Sequence, residues 1–330
     1  MSSITLSKVH EMTIDEKYFV SAPLLLQDGK LLCEIYLNND EIIYLYIIDI
    51  NRLQVEQIIT GLSNIEHLSQ TSDGRLFCLD RENTMTIMDK KYNTFTINSK
   101  KYTFNSNNEY SLMALSKNRV CLSYYPIFTF YNASDMEKPI GEIKDYCTDY
   151  DANLHVEVEI EELQRIVIFS EDYINSYSLI TFEMESSIEN YFTCDDDELY
   201  FNARRIDNER IVFITIFGVI KLYNFINFTI EGEMDLEDFK FKTFSIIDCK
   251  TILIFSEFEA DTSFVLNDCN VYVKNNIENP PEDSILSENY LTPVDEEIPL
   301  FYSIYKSYYI SNIKKCICID YNKLISYNIL

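Results

Sequence analysis

The chain has 330 residues, no Trp, six Gly and a formal net charge of −27. So acidic a surface repels a phosphate backbone, which argues against direct nucleic-acid binding and in favour of protein partners, basic ones among them. Apolar residues make up 47%, ample for a core; yet the longest apolar run, IVFITIFGVI at 211 to 220, is far short of the roughly 20 residues that a membrane helix needs.

In chain order, ITLSKVH (4 to 10) reads as a lone strand, and a unit that recurs follows it. Its first copy opens with LLLQDG (24 to 29), whose Asp and Gly suit a tight hairpin turn. Lys30 then starts the apolar strand KLLCEIY, IIYLYIID (42 to 49) is a third strand and VEQIIT (55 to 60) a fourth. The second copy reads IEHLSQTSDG (65 to 74), RLFCLD from Arg75 and TMTIMD (84 to 89). In the third, SLMALSKN (111 to 118) leads to RVCLSY from Arg119 and IFTFYN (127 to 132).

The fourth copy places HVEVEIEE (155 to 162) before RIVIFS from Arg165, with SLITF (178 to 182) read as its third strand. The fifth has FNARRIDN (201 to 208), RIVFIT from Arg210 and VIKLYN (219 to 224). KTILIF from Lys250 and KCICID from Lys315 mark the last two, and LISYN (324 to 328) ends the series. The basic residues stand 45, 44, 46, 45, 40 and 65 apart. A period near 45 is one structural unit used seven times. An extra hairpin within 250 to 314 would make the number eight.

Four antiparallel strands repeated seven times is the pattern of an all-β, seven-bladed β-propeller, expected to be a single domain over 1 to 330. The final unit has three strands of its own, so the N-terminal strand 4 to 10 is expected to complete it and close the ring, pairing an otherwise open edge. The repeats resemble those of the WD-repeat family. Ser72, Asp73, Gly74 and Arg75 resemble that family's usual turn. Ile48–Asp49, Met88–Asp89, Tyr131–Asn132, Tyr223–Asn224, Leu266–Asn267 and Tyr327–Asn328 stand where it has Trp-Asp. With no Trp and three His, the family's buried hydrogen-bond tetrad cannot form in its usual way, and the fourth copy lacks the Asp or Asn.

Nine Cys and no secretion signal argue against a disulfide framework. Cys33, Cys78 and Cys318 share one register in the apolar strand, where a free thiol behaves as a small hydrophobe. Cys316 and Cys318 have no partners at zinc spacing. His10, His67 and His155 lie in separate strands, and six glycines leave no phosphate-cradling loop. No catalytic, cofactor or metal residue is therefore assigned. Paired carboxylates of a hydrolytic propeller stay open, because acids are too abundant for any pair to be informative.

Three acidic stretches stand out, and the first and third hold possible partner-binding residues. Strict alternation would put Glu157, Glu159 and Glu161 on one face of the fourth unit's first strand, where they either pair with bases of a neighbouring blade, Arg204 and Arg205 among them, or bind a basic peptide or a cation. CDDDE (194 to 198) lacks the spacing of a calcium loop and reads as solvated. The insertion 275 to 299 holds seven acids, no bases and four prolines. Within it Ser284, Leu286, Tyr290 and Leu291 are apolar islands suited to docking, or parts of a loop with no role.

What the resemblance implies is a non-catalytic scaffold, a monomeric propeller holding protein partners within a larger eukaryotic intracellular complex, in cytoplasm or nucleus, with no membrane insertion. A reader or chaperone of basic peptides such as histone tails is the alternative from another class. The charge serves either that binding or solubility.

Overall fold

Each repeat folds into a four-stranded sheet, and the computed structural model contains seven of them. It describes residues 6–13, 18–37, 42–92, 94–105, 108, 110–124, 126–145, 156–170, 173–189, 201–215, 219–235, 241–248, 251–256, 263–266, 269–274, 304–310, 314–320 and 323–329. The insertion 275 to 299, with Ser284, Leu286, Tyr290 and Leu291, lies outside them, as does the acidic run 194 to 198.

Sheet 1 comprises Tyr18–Leu25, Leu31–Leu37, Ile42–Asp49 and Gln54–Ser63, each antiparallel to the one before. Sheets 2 to 5 repeat that meander, with second strands Leu76–Asp80, Arg119–Tyr124, Arg165–Phe169 and Arg210–Thr215. Sheet 7 takes three strands from Ile304–Ile310, Lys315–Asp320 and Lys323–Ile329. Its fourth is the N-terminal Leu6–Thr13, antiparallel to Lys323–Ile329. The chain divides into two compact units, Met1–Ile14 with Phe192–Leu330, and Asp15–Tyr191.

In sheets 1 to 5 the second strands are buried on both faces, which is why they read as continuous apolar runs and not as alternation. In sheet 2, Leu76 and Cys78 pack with Leu26, Leu32, Leu45 and Ile47 of sheet 1. Phe77 and Leu79, pointing the other way, pack with Leu112, Val120 and Leu122 of sheet 3. The next layer joins Cys121, Phe128 and Phe130 of sheet 3 to Ile166, Ile168 and Tyr177 of sheet 4. Cys33 and Cys78 are buried as their shared register requires, and burial pushes the Cys78 thiol far above its ordinary value. Such a thiol is inert.

Two turns repeat as well. Between first and second strands, a carboxylate accepts from the backbone N–H of the basic residue: Asp28 from Lys30 at 3.3 Å, Asp73 from Arg75 at 3.3 Å, Asp207 from Arg210 at 2.8 Å. Gly29 and Gly74 supply the positive φ, 78° and 87°, that these turns demand. After the third strand the residue opposite the basic one caps the next turn. Asp49 Oδ1 accepts from Asn51 and Arg52, and Asn224 Oδ1 from Ile226 and Asn227.

Two sheets correct the sequence expectations. The third strand of sheet 4 is Tyr173–Ser178, so 178 to 182 is mostly turn. Arg165 is paired with Ser178 as Arg119 is with Asn132, and Ser178 Oγ accepts from the Ile180 and Thr181 N–H groups, both at 3.2 Å. Serine does here the capping that Asp or Asn does elsewhere, so the repeat position was filled by a residue outside the expected pair. In sheet 6, Cys269–Lys274 takes the third place, parallel to Thr251–Ser256, and Ser263–Leu266 lies outside it.

Candidate functional site

Glu157 and Glu159 lie on the first strand of sheet 4, Val156–Ile160, and alternation aims both at sheet 3. Ser123 Oγ donates to Glu157 Oε1 at 2.8 Å. Ser116 donates twice to Glu159, from its backbone N–H at 2.7 Å and its hydroxyl at 2.6 Å. Arg119 Nη2 stands 3.4 Å from Glu159 Oε1. Every one of these contacts is supplied from within the fold.

Glu161 does not share that face. The strand stops at Ile160, and Glu161–Leu163 forms a 3₁₀ turn closed by Gln164 in the left-handed conformation, φ 51°. Three glutamates in one row were expected from alternation, which ends where the strand does. Glu161 is exposed. Arg204 lies over the Phe244 ring at 5.0 Å, and Arg205 lies over Phe225 at 5.5 Å while donating to the Asp207 carbonyl at 2.7 Å.

In two of the repeats the basic residue is an inter-sheet clasp. Arg75 Nη1 of sheet 2 donates to the Ala133 carbonyl of sheet 3 at 2.7 Å. Arg119 Nη1 of sheet 3 donates to the Leu179 carbonyl of sheet 4 at 3.0 Å. Ala133 and Leu179 each follow the capping residue, so the two bonds are the same bond one repeat apart. Between sheets 1 and 2 the polarity reverses, and Lys90, which follows Asp89, donates to Asp28 Oδ2 at 2.9 Å. The regular basic residue in the sequence was the available signal for this clasp. Its acceptor was not, because a backbone carbonyl leaves no mark in the sequence.

Phe182, φ 59°, reaches from the sheet 4 turn onto sheet 3. Its ring centroid lies 5.1 Å from that of Phe130. Gly141 leaves room for it: a Cβ there would stand 2.1 Å from the ring. Beside Phe182, the same turn displays Ile180 to solvent. Among the described residues, no three His, Cys, Asp or Glu side chains come together to hold a metal ion, and no helix is long and apolar enough to cross a membrane. Burial holds the His67 imidazole below its ordinary value, so it is neutral at pH 7.

Three solved structures share this arrangement. The C-terminal WD40 domain of Sif2 superposes with a TM-score of 0.61 at 9% identity, covering 96% of this chain and 83% of that one. A chain of the mitotic checkpoint complex gives 0.63 at 7%, covering 98% and 91%. The Cps50 (Swd1) β-propeller domain of Myceliophteria thermophila gives 0.63 at 10%, covering 98% and 100%. The fold is a WD40-type β-propeller of seven blades. The seven sheets are therefore its blades. No family model and no curated protein matches the chain. At such identities the propellers share a backbone and not a set of side chains. In this Trp-free chain Arg75, Arg119 and Lys90 supply hydrogen bonds from blade to blade.

Proposed function

We propose that this propeller is a non-catalytic scaffold, a subunit of a larger intracellular complex that holds protein partners on its blade ends. The observation that supports it is the likeness over nearly the whole chain to WD40 propellers, one of them taken from an assembly of several proteins. The polar side chains of blades 3 and 4 agree with this. Glu157, Glu159, Arg119, Ser116, Ser123 and Gln164 are bonded to one another or to backbone, an arrangement that braces the blades. Partner contacts then belong to exposed positions, Glu161 among them, and to Ser284, Leu286, Tyr290 and Leu291 outside the described residues.

With the −27 charge, we expect basic partners, a monomeric propeller within the complex and a location in cytoplasm or nucleus. Affinity purification of the tagged protein from its own cells, washed at low and then high salt, tests this. A fixed set of partners that survives high salt is the expected result. Basic proteins that all leave with salt would replace the scaffold by a reader of basic peptides, and no partner at either salt would reopen the hydrolytic reading.

A further inference from the structure

Blade 4 ends in two turns that lie side by side, because the Leu179 N–H donates to the Gln164 carbonyl at 2.7 Å. Both are fixed from within. Ser178 caps one. In the other, Gln164 donates from its backbone N–H and from Nε2 to the Glu161 carbonyl, at 3.1 and 2.7 Å, while Arg119 of blade 3 holds its Oε1 at 3.1 Å. These held turns carry Leu163, 42% exposed, and Ile180, 72% exposed. Met184, at the start of the outer strand, is 46% exposed.

One exposed aliphatic residue is ordinary on any surface. Three on adjoining segments of one blade are a patch. The same segments, 161 to 164 and 179 to 185, contain Glu161, Glu162, Glu183 and Glu185 and no Lys or Arg. Arg165 engages Glu185 at 2.5 Å, and Glu161 and Glu183 are exposed. The two turns thus combine exposed aliphatic side chains with exposed carboxylates.

We propose that this end of blade 4 docks a partner segment in which Leu, Ile or Phe side chains are flanked by Lys or Arg. The inference rests on the scaffold reading and gives one partner its chemistry. The aliphatic side chains stabilise only if covered by apolar side chains, and the carboxylates select bases to flank them. A second copy of this chain fits poorly, since two bodies of charge −27 repel. The turns are held before any partner arrives, so little ordering entropy opposes docking.

Fluorescein-labelled octapeptides of alternating Lys and Leu, and of alternating Lys and Gly, titrated with the full chain and followed by anisotropy, test it. The Lys–Leu peptide should bind at least about tenfold more tightly than Lys–Gly, a difference of about 1.4 kcal/mol. Leu163→Ser with Ile180→Ser should bring Lys–Leu down to the Lys–Gly level without altering Lys–Gly. Glu161→Gln with Glu183→Gln should weaken Lys–Leu several-fold and flatten its salt dependence. All four positions are exposed, so the variants should keep the wild-type melting temperature. Equal binding of the two peptides, or serine variants that bind like wild type, would overturn the proposal, the attraction then being net charge alone. A wild-type dimer that the serine variants dissociate would also overturn it, by seating a second copy on the patch. Failure here beside a salt-resistant complex in the purification would leave the scaffold standing.

Discussion

Glu34 shows how much one buried group can weigh. It lies on the second strand of blade 1, 3% exposed, among residues that are otherwise apolar. Desolvation pushes its carboxyl up to about 7, with the Arg81 charge pulling the other way. Cys78 is its buried neighbour, and its thiol is raised in part by the Glu34 charge. The folded protein therefore holds a proton that the unfolded chain releases near pH 4.5. Stability from this group is complete below that pH and is lost as pH rises through about 7, amounting to about 3 kcal/mol in all. Glu34→Gln should remove the dependence: urea midpoints at pH 5.5 and 8.5 should diverge between the two proteins, the variant being the more stable at the higher pH. Parallel midpoints would show that the carboxyl is solvated in the folded state. Gly141 makes a second residue-scale case. Gly141→Ala sets a Cβ 2.1 Å from the Phe182 ring, and overpacking of this kind costs about 1–3 kcal/mol. Thermal melts should show the loss, and Phe182→Leu in the same chain should return part of it.

At the scale of elements, blade 3 is tied to blade 4 through Arg119. This guanidinium, 8% exposed, donates to the carbonyls of Ser116 and Leu179 and to Gln164 Oε1, and it pairs with Glu159. Removing it takes the counter-charge from Glu159, which keeps its Ser116 hydrogen bonds, and the donor from the Leu179 carbonyl, so Arg119→Met should destabilise by about 3 kcal/mol. Glu159→Gln added to it should cost less than the sum of the two single changes, because the charge left without its partner is gone. Additive costs in urea melts would mean that the two side chains act independently. These ties also show what the sequence displays and what it hides. The second strands were legible because burial on both faces leaves an uninterrupted apolar run after each basic residue. Their register was legible because Asp or Asn recurs opposite that residue. Ser178 escaped, since a serine cap looks like any polar residue, and the third strand was read too late in the chain. The parallel Cys269–Lys274 escaped too, because strand composition is blind to direction. Glu157 and Glu159 were placed on one face by alternation alone. Ser116, Ser123 and Arg119 as their partners depend on which turn of the previous blade lies alongside, and only packing decides that.

For the whole molecule the decisive pairing is between the chain's two ends. Leu6–Thr13 lies antiparallel to Lys323–Ile329 from Leu6 opposite Ile329 to Thr13 opposite Lys323, with one irregularity between Lys8 and His10. Its removal would leave Lys323–Ile329 as an edge, a row of N–H and C=O groups open to another chain. Leu324 and Ile325 of that strand are buried, so the edge cannot turn away from solvent without exposing core. Such an edge recruits strands from other copies, and the −27 charge opposes this only at long range and weakly in salt. A chain lacking residues 1 to 13 should therefore aggregate, more so at high salt, and melt at a lower temperature in whatever fraction stays soluble. A synthetic peptide of residues 4 to 14 added in trans should restore solubility by adding the missing strand, and a peptide of the same composition in scrambled order should not. Rescue by the native order alone separates strand pairing from a general effect of charge or hydrophobicity. A deletion variant that is soluble and melts like the intact chain would show that three strands suffice for blade 7, and that the N-terminal strand is held by the blade without holding it.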